Sequence, residues 1–409
     1  MPSGGTASTL ARELVVVKFG GTSLATRDQL RAVARRLVDL HEDGKRVVCV
    51  LSARGHTTDR LFGLARSLAA DPDPRELDAL LAAGEAISCA LVAIRIHALG
   101  QEAVSLDGAQ AGIATDDRHG SATIVGVRPE RILAELDRGR IVLVTGFQGR
   151  SPARDVTTLG RGGSDLTAVA LAAALDAASC EICTDTDGVF TADPRVVPEA
   201  RRLGELGFEE AVELAGAGAR VLQSRAAELA QAERVPVHVR SAFAGGGGTR
   251  IVAEGRGRVE RPAVVGVTHA TSELLFRIRG IGLAGLLAAA AAGDVRLAAS
   301  AEVDAGVVVA VAEEGRGALE GALESLGVGW TVEEIGSVSV VGYGLSGSGR
   351  AASIVYATLH ELGVAPVLVA ISPMRLTVHL QRADVELTVR ALHEALELDR
   401  EPGEATWAA

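Results

Sequence analysis

A chain of 409 residues, 48% of them hydrophobic, is long enough to bury a sizeable core and to divide into two or three domains. Its formal net charge of -11, with no basic block, argues against nucleic acid and against anionic membrane surfaces as partners. The opening MPSGGTASTLARE has no apolar h-region, and the best apolar run, LAGLLAAAAAG, is short and alanine-rich. The expectation is a cytoplasmic protein without a secretory signal or a membrane span.

In chain order, LVVVKF at 14–19 reads as a buried strand, followed by a GGTS turn and a helical pattern over 27–42. RVVCVLS at 46–52 is a second strand, with SARGHTTD as a loop and a helix from about 58. Helical spacing over 74–99 is expected to break at Gly84-Glu85. IVLVTGF at 141–147 is a strand, TTLGRGGSD a loop, and SDLTAVALAAALDA a helix that Ser164 or Asp165 would cap. SCEICTD is a strand, TDGVFTADPR a loop, 221–233 a helix, and VPVHVRS at 235–241 a strand. Strands alternating with helices indicate a layered α/β domain with a mainly parallel sheet over 12–260.

After AGGGG at 244–248 the glycine loops stop and shorter alternating units begin. Residues 273–333 fit strand-helix-strand-strand-helix-strand. Residues 337–398 fit a second such pass, with a helix over 349–363 and another over 384–398. Two βαββαβ units, over 261–335 and 336–409, are expected from pattern alone, without a close sequence repeat.

Four cysteines in so long a chain are not a disulfide framework. Cys180 and Cys183 form a C-x-x-C, but in a strand positions three apart face opposite sides, which favours core filling over redox or metal chemistry. The nine histidines lack ligand spacing, so no metal site built from side-chain clusters is expected. Only Lys18 and Lys45 are lysine, against 39 arginines among the 41 basic residues. A lysine retained in that background points to chemistry at Lys18; Lys45, in the polar turn HEDGKR, reads as a surface charge.

Three loops follow strands in the first domain: KFGGTS (18–23), TTLGRGGSD (157–165) and TDTDGVFTADPR (184–195). None fits the G-x-x-x-x-G-K-[ST] or the G-x-G-x-x-G pattern, the latter failing at Asp165. The chemistry still suits phosphate: glycines let backbone N–H groups approach an anion, and a following helix N-terminus adds its dipole. Lys18 would place a compact charge on a transferring phosphoryl group. Arg161, between glycines, suits a carboxylate or phosphate unless it is a plain surface arginine. Glu85, in an apolar helical stretch, is either a helix-surface carboxylate or a buried acceptor for an ammonium. Asp165, Asp185, Asp187 and Asp193 either orient magnesium-bound phosphates or serve as turn and cap residues.

Taken together, KFGGTSLA, SARGHTTDRL, GEAIS, VTGFQG, TTLGRGGSDLTAVALAAAL, CEICTDTDGVFTADPRVVPEARRL, ELAGAGARVLQSRAAELA and VPVHVRSAF resemble the aspartate kinases of the amino acid kinase superfamily, in the family's order from about residue 14 to 251. The resemblance implies an amino acid kinase-type α/β domain followed by two ACT regulatory domains. It implies ATP and Mg2+ as cofactors and L-aspartate as substrate, phosphorylated on its side-chain carboxylate. Lys18, Asp165 and Arg161 are then catalytic. Ser52, Thr57, Glu85, Arg161 and Ser164 bind substrate, Glu85 through its amino group. Lys18, Gly20, Gly21, Thr22, Ser23, Thr184, Asp185, Phe190, Arg195 and Arg220 bind nucleotide. Association through the ACT-like domains, as a homo-oligomer or with a separate ACT subunit, is also implied. The alternatives are a kinase of another amino acid or related carboxylate, and a non-catalytic ligand-sensing subunit. A carboxylate with a pKa of about 4 is already ionised at neutral pH, so the reaction needs no general base.

The chain departs from the family pattern at Ala86 (an arginine in GERIS), Phe190 (a tyrosine), Arg220 (a lysine) and Gln223 (a histidine). The ACT region departs further, in GIGLAGLL, LAASAEVDAG and VAISPMRLTVHL, so weakened or altered feedback by lysine or threonine is expected.

Overall fold

The computed structural model describes residues 13–219, 222–253, 263–304, 306–345 and 349–400. Among these, one unit comprises 13–189, 203–212 and 222–253, and a second comprises 190–202, 213–219 and everything from 263 onward.

The first unit begins β1 (Leu14–Phe19), α1 (Arg27–Glu42), β2 (Arg46–Leu51), α2 (Thr57–Leu68) and α3 (Pro74–His97). It continues through β3 (Ala103–Leu106), β4 (Ile113–Thr115), β5 (Ile124–Val127), α4 (Glu130–Asp137), β6 (Ile141–Thr145), β7 (Gln148–Arg150), β8 (Val156–Thr158) and α5 (Gly163–Ala174). It closes with β9 (Ser179–Thr184), β10 (Glu205–Gly207), α6 (Phe208–Gly216, whose last residues belong to the second unit), α7 (Ser224–Glu233), β11 (Val237–Ser241) and β12 (Thr249–Val252). Eight strands form one sheet in the order β10-β12-β11-β9-β1-β2-β6-β3, parallel except for β11 against β12. A four-stranded sheet, β5-β4-β7-β8, lies beside it in the chain order.

Sequence chemistry explains these elements. The Val15–Val17 run is buried on both faces, as a central parallel strand requires. Helix α1 starts on a capping box between Thr26 and Gln29 and buries Leu30, Val33, Ala34, Leu37 and Val38 as one stripe. Arg36 of α1 reaches the sheet, pairing with Glu181 of β9 at 2.7 Å and donating to the Ala242 carbonyl at 3.1 Å. Cys180 and Cys183 are both fully buried and unlinked; Cys183 shares a core with Val15, Val17 and Phe19, and Cys180 faces the other side.

Three expectations need correction. Helix α3 runs unbroken through Gly84-Glu85. Glycine serves close packing there, since a Cβ on Gly84 would stand 2.9 Å from the Ala53 Cβ. Helix α3 is also long and apolar enough to cross a membrane, with a mean hydropathy of 1.9 over its best window. Half of that window is buried inside the unit, and the helix buries Asp78 and Glu85, so it serves as a core helix. Finally, α5 is not capped by Ser164 or Asp165. The cap position is Gly162, at φ 70°, a left-handed conformation that glycine adopts without penalty. Both side chains fall inside the first turn.

The second unit contains β13 (Ala263–Arg279), α8 (Leu283–Ala292), β14 (Leu297–Val303), β15 (Gly306–Ala312), α9 (Arg316–Leu326), β16 (Trp330–Tyr343), α10 (Gly349–Leu362), β17 (Leu368–Ile371), β18 (Arg375–Gln381) and α11 (Val385–Ala395). One six-stranded antiparallel sheet has the order β14-β15-β13-β16-β18-β17. Its two central strands are long and pair along their length, with register shifts near Ala270–Glu273. Beyond the shift, 273–279 pairs with β15 and Trp330–Ile335, and α8 and α9 pack a core around Leu274, Phe276 and Ile278. Before it, 263–270 pairs with Ser337–Tyr343, and β18 follows. There Val267, Val338, Val340 and Val378 pack with residues of α10 and α11. Two βαββ-type halves thus share two strands. The outer strand expected at the end of the second half is supplied instead by 263–270, which precedes both halves. The expected boundary at 335/336 falls within β16.

Candidate active site

Strands β1, β2, β6, β9 and β11 run parallel, so their carboxyl ends lie along one edge of the sheet. Open α/β sheets bind ligands at that edge. Two of the three glycine-bearing segments singled out by composition, after β1 and β9, leave this edge; the third, TTLGRGGSD, leaves β8 of the four-stranded sheet and leads into α5. Gly55 N–H donates to the Gly21 carbonyl at 2.8 Å, and a Cβ on Gly21 would lie 2.6 Å from the Ala53 carbonyl. The loops after β1 and β2 therefore interlock. Ser52 N–H donates to the Phe19 carbonyl at 3.2 Å, and Gly146 N–H to the Leu51 carbonyl at 3.0 Å.

Lys18, near the end of β1, forms an ion pair with Asp165 in the first turn of α5, Nζ to Oδ1 at 2.5 Å. Both side chains are nearly buried, at 13% and 12% exposure. A Cβ on Gly20 would be 3.6 Å from the Lys18 amine, so the turn leaves that amine uncrowded. Ser164 packs at the end of β6, where a Cβ on Gly146 would meet its hydroxyl at 2.5 Å. Phe147 follows at φ 70°, rare for an aromatic residue, and its N–H donates to Thr167 Oγ1 at 3.1 Å.

Glu85 is the second charged centre. It is 3% exposed, and Ala53 N–H donates to its Oε1 at 3.0 Å. Its Oε2 is buried with no hydrogen-bond partner among the described residues. Burial pushes the carboxyl pKa up to about 7, against the smaller opposing effect of the Ala53 N–H. A half-ionised buried carboxylate with one oxygen unmet is suited to receive a cationic donor. Thr57 stands alongside, its Cγ2 3.4 Å from where a Gly84 Cβ would lie. Ala86, where the family pattern has arginine, is on the exposed side of α3, and Glu85 is held by Ala53 instead.

The structure pairs Lys18 with Asp165, sets Gly20 beside the Lys18 amine, joins Ser52 to the end of β1, packs Gly21 against Ala53, whose N–H holds Glu85, places Thr57 beside Gly84, and seats Ser164 against Gly146. Ser23 is buried and Thr22 exposed in the turn after β1. Arg161 is exposed on the loop between β8 and α5. Thr184 ends β9, one strand over from β1, and its hydroxyl donates to Asp185 at 2.9 Å. Phe190 and Arg195 cluster with the second unit, where Arg195 grips Asp193 through two nitrogens at 3.0 and 2.7 Å. Asp187 lies where a Cβ on Gly246 would strike its carboxylate, against the AGGGG loop. Arg220 is outside the described residues. Gln223 accepts from Ala226 N–H at 3.1 Å to cap α7, and its side chain lies within 2.1 Å of a Cβ built on Gly162. It therefore backs the glycine loop.

Three further residues stand around this loop: Asp78 and His119, which gave no sequence signal, and Thr158, which lies inside TTLGRGGSD but was given no role. Asp78 lies two helical turns before Glu85, a spacing readable only once α3 is known to be continuous.

Comparison with known proteins agrees with this geometry. Residues 13–241 match the amino acid kinase family. The aspartokinase of Mycolicibacterium smegmatis is 42% identical, covering 94% of this chain and 96% of its own length. That of Corynebacterium glutamicum is also 42% identical, over 97% and 99%. Among solved structures, E. coli aspartokinase III in complex with aspartate and ADP superimposes with a TM-score of 0.84 at 25% identity, covering 94% of this chain and all of that one. A lysine–aspartate pair at a glycine loop, a buried carboxylate held by the loop after β2, and these full-length similarities lead to one assignment: the chain belongs to the amino acid kinase family and, within it, to the aspartokinases.

Proposed function

We propose that this enzyme transfers the terminal phosphoryl group of ATP to the side-chain carboxylate of L-aspartate, forming 4-phospho-L-aspartate. The observation that carries the reading is the unpartnered, buried Oε2 of Glu85 in the same loop cluster as the Lys18–Asp165 ion pair. Glu85 receives the substrate ammonium. Lys18 neutralises charge on the transferring phosphoryl group, and Asp165 holds that amine in place. Arg161 and Ser164, on the glycine loop, take the substrate carboxylates, with Ser52 and Thr57 lining the amine end. The acceptor oxygen is already anionic, so positioning and charge neutralisation carry the rate. The backbone of Gly20–Ser23, with Thr184 and Asp185, supports the nucleotide phosphates, and the family resemblance adds Phe190, Arg195 and Arg220 as nucleotide-binding residues.

Magnesium suits this donor set. Among the described residues no three His, Cys, Asp or Glu side chains converge as a cage, and this cation is commonly held by one or two carboxylates and the substrate phosphates. Asp185, exposed beside Thr184, is the carboxylate we assign to it. The ion would neutralise phosphate charge. The second unit is read as a pair of ACT-like modules for effector sensing and self-association or pairing with a separate ACT subunit. Its departures from the family motifs support weakened feedback by lysine and threonine; strong inhibition at sub-millimolar levels of both would sink that part.

The deciding experiment is ADP release with hydroxylamine trapping of acyl phosphate across a panel of amino acids. Aspartate should be turned over and trapped. Turnover of another amino acid in its place would favour the alternative substrate, and silence with all of them a sensor subunit.

A further inference from the structure

Asp78 is 1% exposed on α3, and the chemistry above does not use it. A buried carboxylate persists only when its oxygens are met. Here the donors converge from two segments. Gly120 N–H lies 3.1 Å from each oxygen, His119 Nδ1 lies 2.8 Å from Oδ2, and the Thr158 hydroxyl donates to Oδ1. The carboxylate can only accept, so His119 carries its proton on Nδ1.

Both segments belong to the glycine loop's surroundings. Thr158 ends β8, directly before Leu159-Gly160-Arg161. Ala122 N–H donates to the Thr158 carbonyl at 2.9 Å, and a Cβ on Gly160 would be 3.3 Å from the Gly120 carbonyl. From α7, Arg225 donates to the Leu159 carbonyl at 2.9 Å and to the Ala122 carbonyl at 3.0 Å. The loop that presents Arg161, Ser164 and Asp165 is thereby tied to one point on α3.

Glu85 stands on the same helix, seven residues on. Two turns place the two carboxylates on one face, about 10 Å apart along the axis. Between them Gln148 Nε2 donates to the Ala82 carbonyl at 3.1 Å, fastening β7 to the same stretch. The helix therefore fixes the spacing between the ammonium acceptor and the glycine loop.

We propose that Asp78, clasped by His119 and Thr158, sets the distance between Glu85 and the glycine loop and so measures substrate length, favouring the four-carbon amino diacid over its five-carbon homologue. The proposal rests on the reading that the amine sits at Glu85 and the reacting carboxylate at the loop. These three are positioning residues. A hydrophobic pocket alone distinguishes one methylene by only about 10–200-fold, whereas a fixed spacing of charged anchors also misplaces the reacting oxygen of the longer homologue.

The test compares Asp78→Asn, Thr158→Val, Thr158→Ser and His119→Gln, measuring kcat and KM for aspartate, for glutamate and for ATP. Asp78→Asn and Thr158→Val should lower kcat for aspartate by about 10–100-fold with little change in KM for ATP, because small misplacements cost that much. The ratio of kcat/KM for aspartate over glutamate should shrink by about tenfold. Thr158→Ser restores the hydroxyl and should restore both quantities; His119→Gln keeps an N–H donor and should lie close to wild type. Thr158→Val is a mild change that keeps the test open should Asp78→Asn not fold. A wild-type enzyme active on aspartate, whose Asp78→Asn and Thr158→Val forms lose rate but keep its selectivity, overturns the clasp alone. A wild-type enzyme inert toward every amino diacid overturns the underlying reading and the clasp with it.

Discussion

The two units bury ionisable side chains to opposite ends. In the first, Glu85 keeps one oxygen without a partner, and burial raises its pKa to about 7. In the second, His393 of α11 is 3% exposed, its Nε2 stands 3.0 Å from the Thr191 hydroxyl, and burial lowers its pKa. Thr191 Oγ1 also accepts from Arg201 N–H at 2.9 Å, so its own proton is free to meet a neutral imidazole. A site that must bind a cation leaves bonding capacity unspent; a residue packed between a helix and a loop is satisfied internally. The linkage signs differ accordingly. The folded pKa of Glu85 lies above its unfolded value of 4.5, so its contribution to stability is complete below about 4.5 and is lost as pH rises through about 7. The full shift corresponds to roughly 3 kcal/mol. The folded pKa of His393 lies below 6.5, so its contribution is complete above that value and is lost as pH falls through the folded one. Base should therefore weaken the first unit through Glu85, and acid the second through His393.

The contrast is sharpest at Lys18. Lys18→Ala removes the amine paired with Asp165 and should cut kcat by about 10³-fold, on the scale of losing a preorganised charge at a transition state. ADP release measures it, with circular dichroism to show that the unit stays folded. A folded variant that kept a substantial fraction of wild-type turnover would dissolve the claim that this loop edge holds the reacting phosphate. Next is Glu85→Gln. It should cost about 100-fold in kcat/KM for aspartate, mainly through KM, because it removes a buried charge partner. At pH 8 the same variant should unfold no more readily than wild type, since it also removes the buried-charge penalty. A large loss of stability at pH 8 would show that the carboxylate is structural.

The third effect is a pH profile. The carboxylates of aspartate are ionised above about pH 5 and its amine is protonated, so the group left to titrate is Glu85. With its pKa near 7 in the free enzyme, kcat/KM for aspartate should rise about tenfold per pH unit up to about 7 and then level off. Glu85→Gln should flatten the rise. A flat wild-type profile over that range would mean that the ammonium does not depend on this carboxylate.

The same division governs what the amino-acid sequence discloses. In the first unit the loop residues are legible because their chemistry is local: Lys18 beside Gly20-Gly21, and Arg161 between glycines, each carry their reason within a few positions. Strands β4, β5, β7 and β8 were not legible, being three or four residues long, too short for a period to show. Glu85 was legible as a carboxylate in an apolar stretch, but its helical register with Asp78 was hidden by Gly84, which reads as a helix breaker until Ala53 is seen packed against it. In the second unit the alternation of strands and helices was plain, because each half buries one face against two helices. The partner of Ser337–Tyr343 was not, since 263–270 precedes both halves and only pairing reveals it. Phe190 and Arg195 are continuous with Thr184 and Asp185 in sequence but belong to the second unit, a division of the chain that no motif encodes.

The smallest expected effect tests the second unit by itself. Of the chain's two tryptophans, Trp330 lies on β16 of the second unit and neither falls within residues 13–253, so tryptophan fluorescence leaves the first unit silent. Asp399 and Glu199 act on His393 to raise its pKa and Arg201 to lower it, so the carboxylates partly offset burial, which still sets the downward direction. His393→Gln keeps a hydrogen-bonding group for Thr191 and removes the titration. The fluorescence midpoint in urea should fall between pH 7.5 and pH 5 in wild type, and fall less in the variant. The steps at Glu85 and His393 should then separate: Glu85→Gln should leave the acid-side fall of the tryptophan signal unchanged. If His393→Gln left that fall intact, the acid response of the second unit would belong to other groups, and the opposed signs assigned to the two units would no longer describe how this protein answers to pH.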